Sequence, residues 1–383
     1  MTSLMTNNSA GEARLDDLWA RGREVLGTKY AIMCVAMSWV SERNLVAAIS
    51  NAGGFGVVAC GSMMPDMLDG EIAATQALTD KPFGVDLLLP ASLAAASTTR
   101  TGVREELRNN HPEHVAFMHS LLERFELTPS PVENDIVNSD KYAEAQIEVV
   151  LEEKVPIFAA GLGDPARIVP RARDQGMVVI GLAGTVRNAE RHKEAGVDLI
   201  VCQGTEGGGH TGRVSTLPLV AEAVTSVAPV PIVAAGGISD GRGIAAALTL
   251  GAIGVWMGSA FLVAEECGLP DVVKDELVEG KASDFRISES WTGKSLRAKH
   301  NVVSDAWAQS GLPSLPTPYQ RVLMEDFLSA AQKAGRWDLY MNAAGQGTGM
   351  LKQRRPAADI MADLVSGTVQ ALTDTPNRVE FAQ

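Results

Sequence analysis

The sequence predicts an α/β protein built as a (β/α)8 barrel, and three observations lead to this prediction. Eight short apolar runs follow one another along the chain, and they are continuous rather than alternating, as in parallel strands covered on both faces. Helix-forming stretches separate most of these runs. Two glycine-rich turns directly follow the sixth and seventh runs, which is where such a barrel carries its functional site.

The predicted strands are bounded by glycine, proline or aspartate. In chain order they comprise residues 30–37, 54–60, 83–89, 156–162, 177–183, 197–203, 231–236 and 253–259. Helices are predicted after five of them, at residues 41–51, 165–174, 185–195, 217–227 and 239–250. The last helix has a Ser/Asp start and ends before Gly251, as helices commonly do.

The regular pattern is interrupted in two places. Residues 90–154 are charged and contain two predicted helices, 104–126 and 141–153, around a proline-rich turn. We expect this segment to be a helical insertion between strands three and four that shapes access to the site. Residues 266–383 are expected to form a C-terminal extension of loops and helices over the site, with a last helix at 357–371. Residues 1–29 form an N-terminal extension, which leaves residues 30–265 for the barrel.

The composition indicates a globular protein and argues against several partners. Hydrophobic residues make up 46% of the 383 positions, which is normal for a sizeable core. The formal net charge of −13 argues against nucleic acid or an anionic membrane surface as a partner. No secretory signal is recognised at the N-terminus, so a cytoplasmic location is expected. The uncharged stretch 243–264 is interrupted by glycines and is interpreted as a layer of the barrel, not a membrane span.

The cysteines and most histidines receive a structural interpretation. Cys34, Cys60, Cys202 and Cys267 form no CxxC pair and are expected to be buried, reduced thiols. Three histidines lie in the charged insertion without any cysteine, and a solvated helix face is favoured over a metal site there: His111, His114 and His119. No metal is therefore predicted.

A glycine-rich loop carrying one histidine follows the sixth predicted strand. Residues 203–212 read Gln-Gly-Thr-Glu-Gly-Gly-Gly-His-Thr-Gly. Glycines such as Gly208 and Gly209 allow backbone N–H groups to approach a ligand, and His210 can titrate near neutral pH. Because His210 lies between glycines beyond a strand end, we expect it to act in catalysis, by proton abstraction or by pairing with an anion.

The next two strand ends predict a phosphate-binding site. Gly236 and Gly237 follow the seventh strand and precede a capped helix, and Gly258 and Ser259 follow the eighth. Backbone N–H groups at such turns, together with a helix N-terminus, favour a phosphate group. The two regions together predict a phosphorylated cofactor with a histidine nearby.

Two further motifs stay open at this point. Residues 345–349 contain three alternating glycines but follow no strand, so they are interpreted as a flexible loop rather than a dinucleotide-binding turn. A lid over the site is the alternative. The basic cluster at 293–299 is either a solvated turn or a contact for an anionic cofactor or substrate.

Residues 203–212 closely resemble the QGxEAGGHxG motif of the nitronate monooxygenases, formerly called 2-nitropropane dioxygenases. Other stretches similar to family segments are residues 51–56, 83–86, 234–243, 256–259 and 291–297. The resemblance extends from Ala31 to about Asn301 and implies a TIM barrel that binds FMN non-covalently.

The resemblance also implies roles for individual residues. His210 would be the catalytic residue, and the phosphate of FMN would lie between Gly236-Gly237 and Gly258-Ser259. The residues that would contact the flavin are Gln203, Gly208, Gly237, Trp256, Met257, Gly258 and Ser259, with Met37 near the isoalloxazine. The implied activity is oxidation of alkyl nitronates, or of nitroalkanes, by O2 to carbonyl compounds and nitrite. Its partners would be a small-molecule substrate and O2, and a homodimer is left open.

Two departures from the family pattern concern the surroundings of the flavin. The third strand ends Gly-Val-Asp at Asp86 where the family usually has Gly-Val-Asn, and a carboxylate lacks the donor of an amide unless it is protonated. The fifth strand ends at residues 181–184 without a basic residue, so a positive group near flavin N1 must come from elsewhere.

Two alternative functions remain on the same fold. Related FMN-dependent enzymes reduce quinones or enoyl thioesters with NAD(P)H, and the sequence does not determine the electron donor because the flavin itself carries the redox chemistry. A barrel that acts on a sugar phosphate without flavin is the third possibility.

Overall fold

Eight parallel strands form one sheet in the computed structural model, which describes residues 2–61, 63–89, 99–135, 137 and 140–374. These strands are β1 (Ile32–Cys34), β2 (Gly56–Ala59), β3 (Phe83–Leu89), β4 (Ile157–Gly163), β5 (Val178–Ala183), β6 (Leu199–Gln203), β8 (Ile232–Ala235) and β9 (Gly254–Met257). A parallel bridge between Met33 and Phe55 joins β1 to β2 and closes the sheet. The predicted (β/α)8 barrel is confirmed, and each of the eight apolar runs contains one strand.

Helices surround the barrel. They are α2 (Arg43–Asn51), α3 (Pro65–Gln76), α6 (Asp140–Glu152), α7 (Val169–Asp174), α8 (Val186–Ala195), α9 (Thr216–Ser226), α10 (Gly241–Thr249) and the C-terminal α14 (Ala357–Asp374). Helix α14 packs against both α10 and α2, and it thereby fills the gap between the last and the first of the helices around the barrel. The sequence analysis did not predict α3, which begins at Pro65 in the first helical position.

The remaining elements lie outside the eight-stranded sheet and the helices named above. They are the helices α1 (Thr2–Leu26), α4 (Arg100–Asn110), α5 (Pro112–Arg124), α11 (Asp271–Glu279), α12 (Val302–Ser310) and α13 (Tyr319–Lys333), and the strands β7 (Gly209–His210), β10 (Phe285–Ser288) and β11 (Leu296–Lys299). Of these, α1 packs against α14 and α10 on the barrel itself. The three short strands form a separate sheet in the order β10-β11-β7.

The single helix predicted for residues 104–126 is wrong, because two helices occupy this region. Helix α4 ends at His111, and α5 begins at Pro112. Proline lacks an N–H group and disfavours helical geometry in the residue before it. His111 accordingly adopts φ −136° and ψ 48°, which is outside the helical region.

Helices α4 and α5 share a second hydrophobic core with α12 and α13, although more than a hundred residues separate the two pairs along the chain. Arg104 of α4 donates two hydrogen bonds of 2.9 and 2.6 Å to the carboxylate of Asp326 on α13. We call this group of four helices the cap. Helix α6, in contrast, packs on β3 and contributes Ile147 and Val150 to the main core. The segment 90–154 therefore contains two of the four cap helices, α4 and α5, and one helix of the barrel.

Other features of the chain agree with the sequence analysis. All four cysteines are buried and unpaired. The uncharged stretch 243–264 forms α10, β9 and a short 3-10 turn, as predicted. Within the described ranges, no helix combines the length and the apolar character that a bilayer crossing requires.

Candidate active site

The candidate site lies at the carboxyl ends of the barrel strands, where the loop after β6 meets the small sheet. This loop leads into β7, which pairs antiparallel with β11 so that His210 lies opposite Leu296. The amide of Gln203 donates a hydrogen bond of 2.8 Å to the backbone oxygen of His210. Strand pairing on one side and Gln203 on the other therefore fix the backbone that carries the histidine.

The His210 ring contacts the turn that precedes β11. Its Nε2 atom lies 3.0 Å from the hydroxyl oxygen of Thr292. The ring is surrounded by protein although the residue remains open to solvent, and this desolvation is the main reason that its pKa falls from 6.5 to about 4. The positive charges of Lys294 and Arg321 lower the pKa further. His210 is consequently a neutral imidazole at neutral pH.

Three of the predicted phosphate-binding glycines have no room for a side chain. A Cβ atom on Gly236 would lie 2.8 Å from the backbone oxygen of Gly204, and one on Gly258 would lie 2.6 Å from Val35. Gly237 has φ +71°, and a Cβ there would meet Glu206 at 3.0 Å. The two strand ends thus form tight, half-buried turns, here called the glycine cradle (Gly236-Gly237 and Gly258-Ser259).

Two buried donors near the cradle lack partners among the residues that the structure describes. These are the hydroxyl of Ser239, which follows Gly237 by two residues, and the indole Nε1 of Trp256, which precedes Gly258 by two. Buried polar groups nearly always have hydrogen-bond partners. Unpaired donors at both arms of the cradle therefore fit a bound group with several acceptor oxygens, such as a phosphorylated cofactor.

Glu206 holds the histidine loop against the cradle, a role that the sequence analysis missed. Its carboxylate accepts two hydrogen bonds of 2.9 Å, from the backbone N–H and from the hydroxyl of Thr216 at the start of α9. Thr216 Oγ1 also lies 2.9 Å from the backbone oxygen of Gly236. The motif could have indicated this residue, because a lone acid in a glycine loop before a helix is typical of a cap.

The glycines at 345–349 cover the cradle. The backbone N–H of Gly345 donates to Ser259 Oγ at 2.8 Å, and the backbone N–H of Gln346 donates to the backbone oxygen of Glu206 at 2.9 Å. Gly347 packs so closely on Ser239 that a Cβ atom would lie 2.0 Å from its hydroxyl. This segment folds as a short 3-10 helix, Gln346–Met350, and packs on the site. Its position corresponds to the alternative interpretation of these glycines as a lid.

The basic cluster at 293–299 serves three different purposes. The Arg297 guanidinium is buried and donates to the backbone oxygens of Thr205 and Phe285, so it braces the loop before His210. Lys299 pairs with Glu276 at 2.5 Å. Lys294 is half-buried near His210, and no ion pair engages it within the described ranges. Only Lys294 of the three is thus available to an anionic ligand.

Five further residues predicted to bind the cofactor lie outside the glycine cradle. Met37 lies next to Gly258, with its sulfur 3.5 Å from the position of a Cβ there. Asp86 ends up buried on the barrel wall, with 5% exposure. The Met257 side chain belongs to the outer core between strands and helices, so only its backbone faces the cradle region. Gly208 and Gly209 lie in the loop, where Gly208 contacts Ala344 and Gly209 adopts φ +71°.

The three histidines of the cap differ in exposure: His119 is exposed, as expected, whereas His111 is half-buried and His114 is buried. His114 is 2% exposed, and its ring nitrogens lie 3.0 Å from Glu113 Oε1 and 2.9 Å from the Pro313 oxygen. Ligand atoms of His111, Glu113 and His114 all lie within 4.8 Å of one another. Because both ring nitrogens of His114 already have protein partners, packing within the cap accounts for the buried position of this ring.

The sequence is similar to those of several known proteins. The sequence profile of the nitronate monooxygenase family matches residues 21–367. A candidate monooxygenase of Mycobacterium tuberculosis is 38% identical over 362 residues, which cover 90% of this chain and 95% of the relative. A candidate nitronate monooxygenase of Staphylococcus haemolyticus is 32% identical, with 81% of this chain and 86% of the relative covered.

Solved structures show the same relationship. The nitroalkane oxidase of Streptomyces ansochromogenes has a TM-score of 0.78 at 28% identity, covering 90% of this chain and 97% of that one. FabK of Thermotoga maritima has a TM-score of 0.73 at 26% identity, covering 94% and 99%. The family comprises flavin-dependent oxidoreductases. Because the family profile spans most of the barrel and the cap, the chain is an enzyme of the nitronate monooxygenase family.

Proposed function

We propose that this enzyme oxidises alkyl nitronates, and nitroalkanes after deprotonation, with O2 to carbonyl compounds and nitrite. The observation that carries the proposal is the neutral His210 imidazole near Lys294, which no ion pair engages within the described ranges, in a loop that Glu206 ties to the glycine cradle. A neutral base and a nearby cation are what a nitroalkane and its nitronate anion respectively require. The family match and the nitroalkane oxidase likeness support the same chemistry.

The cofactor that fits the cradle best is FMN. The pair of glycine turns, Gly236-Gly237 and Gly258-Ser259, is proposed to hold a single phosphate, because two buried donors without partners among the described residues, on Ser239 and Trp256, adjoin these turns in the sequence. Bound FMN would supply the electron acceptor, which no protein side chain provides. The residues expected to hold it are Gln203, Gly208, Gly209, Met37 and the cradle itself.

His210 is proposed as the base that removes the proton on the nitro-bearing carbon. Its Nε2 atom faces the Thr292 hydroxyl, which in turn lies 3.4 Å from the Lys294 oxygen and can donate to it. In that arrangement Nε2 carries the ring proton, and Nδ1 presents the lone pair. The pKa of about 4 disfavours the alternative in which a protonated His210 pairs with the nitronate.

Lys294, assisted by Arg321, is proposed to pair with the nitronate anion in place of a protonated His210. A nitronate leaves the deprotonation step as an anion, and the enzyme carries a net charge of −13, so a local cation is needed to hold it. Arg321 is partly neutralised by Glu325, to which its Nε donates at 2.6 Å. Lys294 is therefore expected to contribute the larger share.

Replacing His210 with asparagine tests the assignment. The variant should keep its flavin spectrum and lose most turnover with a nitroalkane, while turnover with the preformed nitronate should fall less, because that substrate needs no base. His300→Asn is a suitable control, since His300 Nε2 pairs with Asp305 on the cap at 2.7 Å. Full activity of His210→Asn on both substrates would refute the role of the histidine.

Reduction of a quinone or an enoyl thioester by NAD(P)H is the second candidate, because the likeness to FabK covers almost the whole chain. Anaerobic mixing of the enzyme with NADH or with a nitronate distinguishes these two functions. Bleaching of the flavin by NADH, with no change on adding nitronate, would favour the reductase. Bleaching by nitronate alone would favour the oxidation of nitronates.

The remaining expectations stay predictions of the sequence. These are a cytoplasmic location, the absence of nucleic-acid, membrane and metal partners, and a homodimer as the open question of assembly. Light scattering of the purified protein would measure the last of these.

A further inference from the structure

Asp86 lies on the inner wall of the barrel in the middle of β3, where it pairs with Ala59, the last residue of β2. Its neighbours Val85 and Leu87 point outward into the core between strands and helices. Gly84, two residues earlier, faces Phe55 of the inner cluster. Since side chains alternate along a strand, Asp86 shares the inward direction of Gly84 and faces the interior where the cofactor site opens.

A local irregularity in the sheet accommodates this carboxyl group. The pairing of β3 with β4 shifts between Leu87 and Leu88, so that Ala160 pairs with Leu87, Leu162 pairs with Leu88, and Gly161 is left out of the ladder. A Cβ atom on Gly161 would lie 2.5 Å from Asp86 Oδ2. A β-bulge and a glycine thus coincide at the one place where the carboxyl needs space, as is common beside active sites.

The carboxyl group is buried without a counter-charge. Asp86 is 5% exposed, and burial raises its pKa well above the ordinary range, opposed only by the backbone N–H of Gly161. On the neighbouring strands, the titratable group next to Asp86 is the Cys60 thiol, just after β2, whose pKa burial raises so that it stays neutral. Strand β4, which pairs with Asp86 at Ala159, contains no titratable residue. Residues 90–98, which follow β3, contain no charged side chain in the sequence.

We propose that Asp86 remains a neutral carboxylic acid in the working enzyme and donates its O–H to the flavin ring, which makes it a positioning residue for the cofactor. This inference rests on the proposed binding of FMN. An ionised carboxylate usually needs two or three donors or a cation when buried, and Asp86 has one backbone N–H. A protonated acid instead replaces the donor that an asparagine amide would offer at this position.

The first test does not depend on flavin. Infrared difference spectra of wild type and Asp86→Asn at pH 7, both without cofactor, should contain a protonated-acid C=O band present only in wild type. Surface carboxyl groups are ionised at this pH and cancel in the difference. Absence of the band would overturn the proposal.

The pH dependence of stability gives an independent measurement on the same two proteins. The unfolded chain releases the Asp86 proton near pH 4, whereas the folded chain keeps it. The folding equilibrium constant of wild type should therefore fall, relative to Asp86→Asn, by about tenfold for each pH unit above 4 until the folded pKa is reached. A constant ratio from pH 4 to 7 would contradict a retained proton.

The donor role is tested by binding of FMN to the apoproteins. Asp86→Asn should bind FMN about as tightly as wild type, and Asp86→Leu, which has a similar size but no donor, about fivefold to tenfold more weakly. Circular dichroism verifies that both variants fold. Equal affinity of the leucine and asparagine variants would overturn the contact with the ring. If wild type bound no FMN, the cofactor assignment would fall together with this contact, and the infrared band would still decide the protonation.

Discussion

His210 and Thr292 are joined by a contact of 3.0 Å between the imidazole Nε2 and the hydroxyl Oγ1, across 82 residues of sequence. Thr292 belongs to the turn between β10 and β11, whereas His210 ends the loop after β6. The pairing of β7 with β11 brings the two segments together. The orientation of the proposed base thus depends on a strand outside the barrel, and Thr292, in the turn before that strand, contacts one of its two ring nitrogens.

Replacing Thr292 with valine should lower kcat/KM for a nitroalkane by about fivefold to tenfold, the cost of losing one hydrogen bond that orients the ring. Thr292→Ser keeps the hydroxyl and should retain most activity. A purely structural role would lower the melting temperature of the valine variant without changing the ratio of nitroalkane to nitronate turnover. We expect that ratio to fall, and steady-state kinetics with both substrates would measure it.

The pH profile should distinguish a desolvated His210 from an ordinary histidine. With a pKa of about 4 in the folded protein, His210 stays neutral when the pH is lowered from 7 to about 5. The base-dependent rate with a nitroalkane should therefore remain nearly constant over this range. The rate should fall only as the pH approaches 4. An inflection near 6.5, absent from the nitronate profile, would contradict the desolvated state.

The same lowered pKa has a consequence for stability with the opposite sign to that of Asp86. The unfolded chain gains a proton on His210 below about pH 6.5, whereas the folded chain does not until about pH 4. Folding stability is therefore lost as the pH falls through this window. Activity assays below pH 6 should include a return to pH 7, which shows that lost activity reflects protonation rather than unfolding.

Lys294 gives a prediction about charge. Lys294→Gln should raise KM for the anionic nitronate by about fivefold and leave KM for a neutral nitroalkane almost unchanged, because only the former pairs with the ammonium group. Loss of the positive charge should also raise the pKa of His210. Lys299→Gln removes the same charge from the same segment, but Lys299 already pairs with Glu276 and serves as the control. A similar rise in KM for both variants would show that the effect is not specific to Lys294.

The barrel could be predicted from the sequence because its signal is local. Each parallel strand is covered on both faces and therefore appears as a continuous apolar run, and the glycine turns at 236–237 and 258–259 directly follow two of these runs. The break between α4 and α5 at Pro112 is also a local feature. The restriction that a proline places on the preceding residue is sufficient to predict this break, although the sequence analysis expected one continuous helix.

The partners around His210 could not be predicted in the same way. The cap helices α4 and α13 meet across 222 residues at Arg104 and Asp326, and neither helix alone indicates its partner. Strand β7 has two residues, which is too short for any periodicity. Thr292, Lys294 and Arg321 reach the histidine only through these long-range contacts. What the sequence lacked was therefore the pairing of distant segments, not the chemistry of the residues.

Gly237 allows the cradle itself to be tested against a matched position. It has φ +71°, and a side chain there would point at Glu206, whose Cβ lies 3.0 Å from the added carbon. Gly176, between α7 and β5 at the opposite end of the barrel, has the same φ of +71° but nothing within 4 Å of an added Cβ. Valine at either position imposes the same backbone strain, of about 1–2 kcal/mol, since β-branched residues avoid positive φ.

Only at Gly237 would valine also displace the loop that Glu206 anchors and so disturb the proposed phosphate site. We therefore expect Gly237→Val to be folded and colourless, and Gly176→Val to lose a similar amount of stability while remaining yellow. Thermal unfolding measures the shared strain, and the flavin absorbance per mole of protein measures the difference. Full flavin occupancy in Gly237→Val would move the phosphate away from this turn. Loss of flavin from both variants would show that strain alone, and not the shape of the cradle, controls binding.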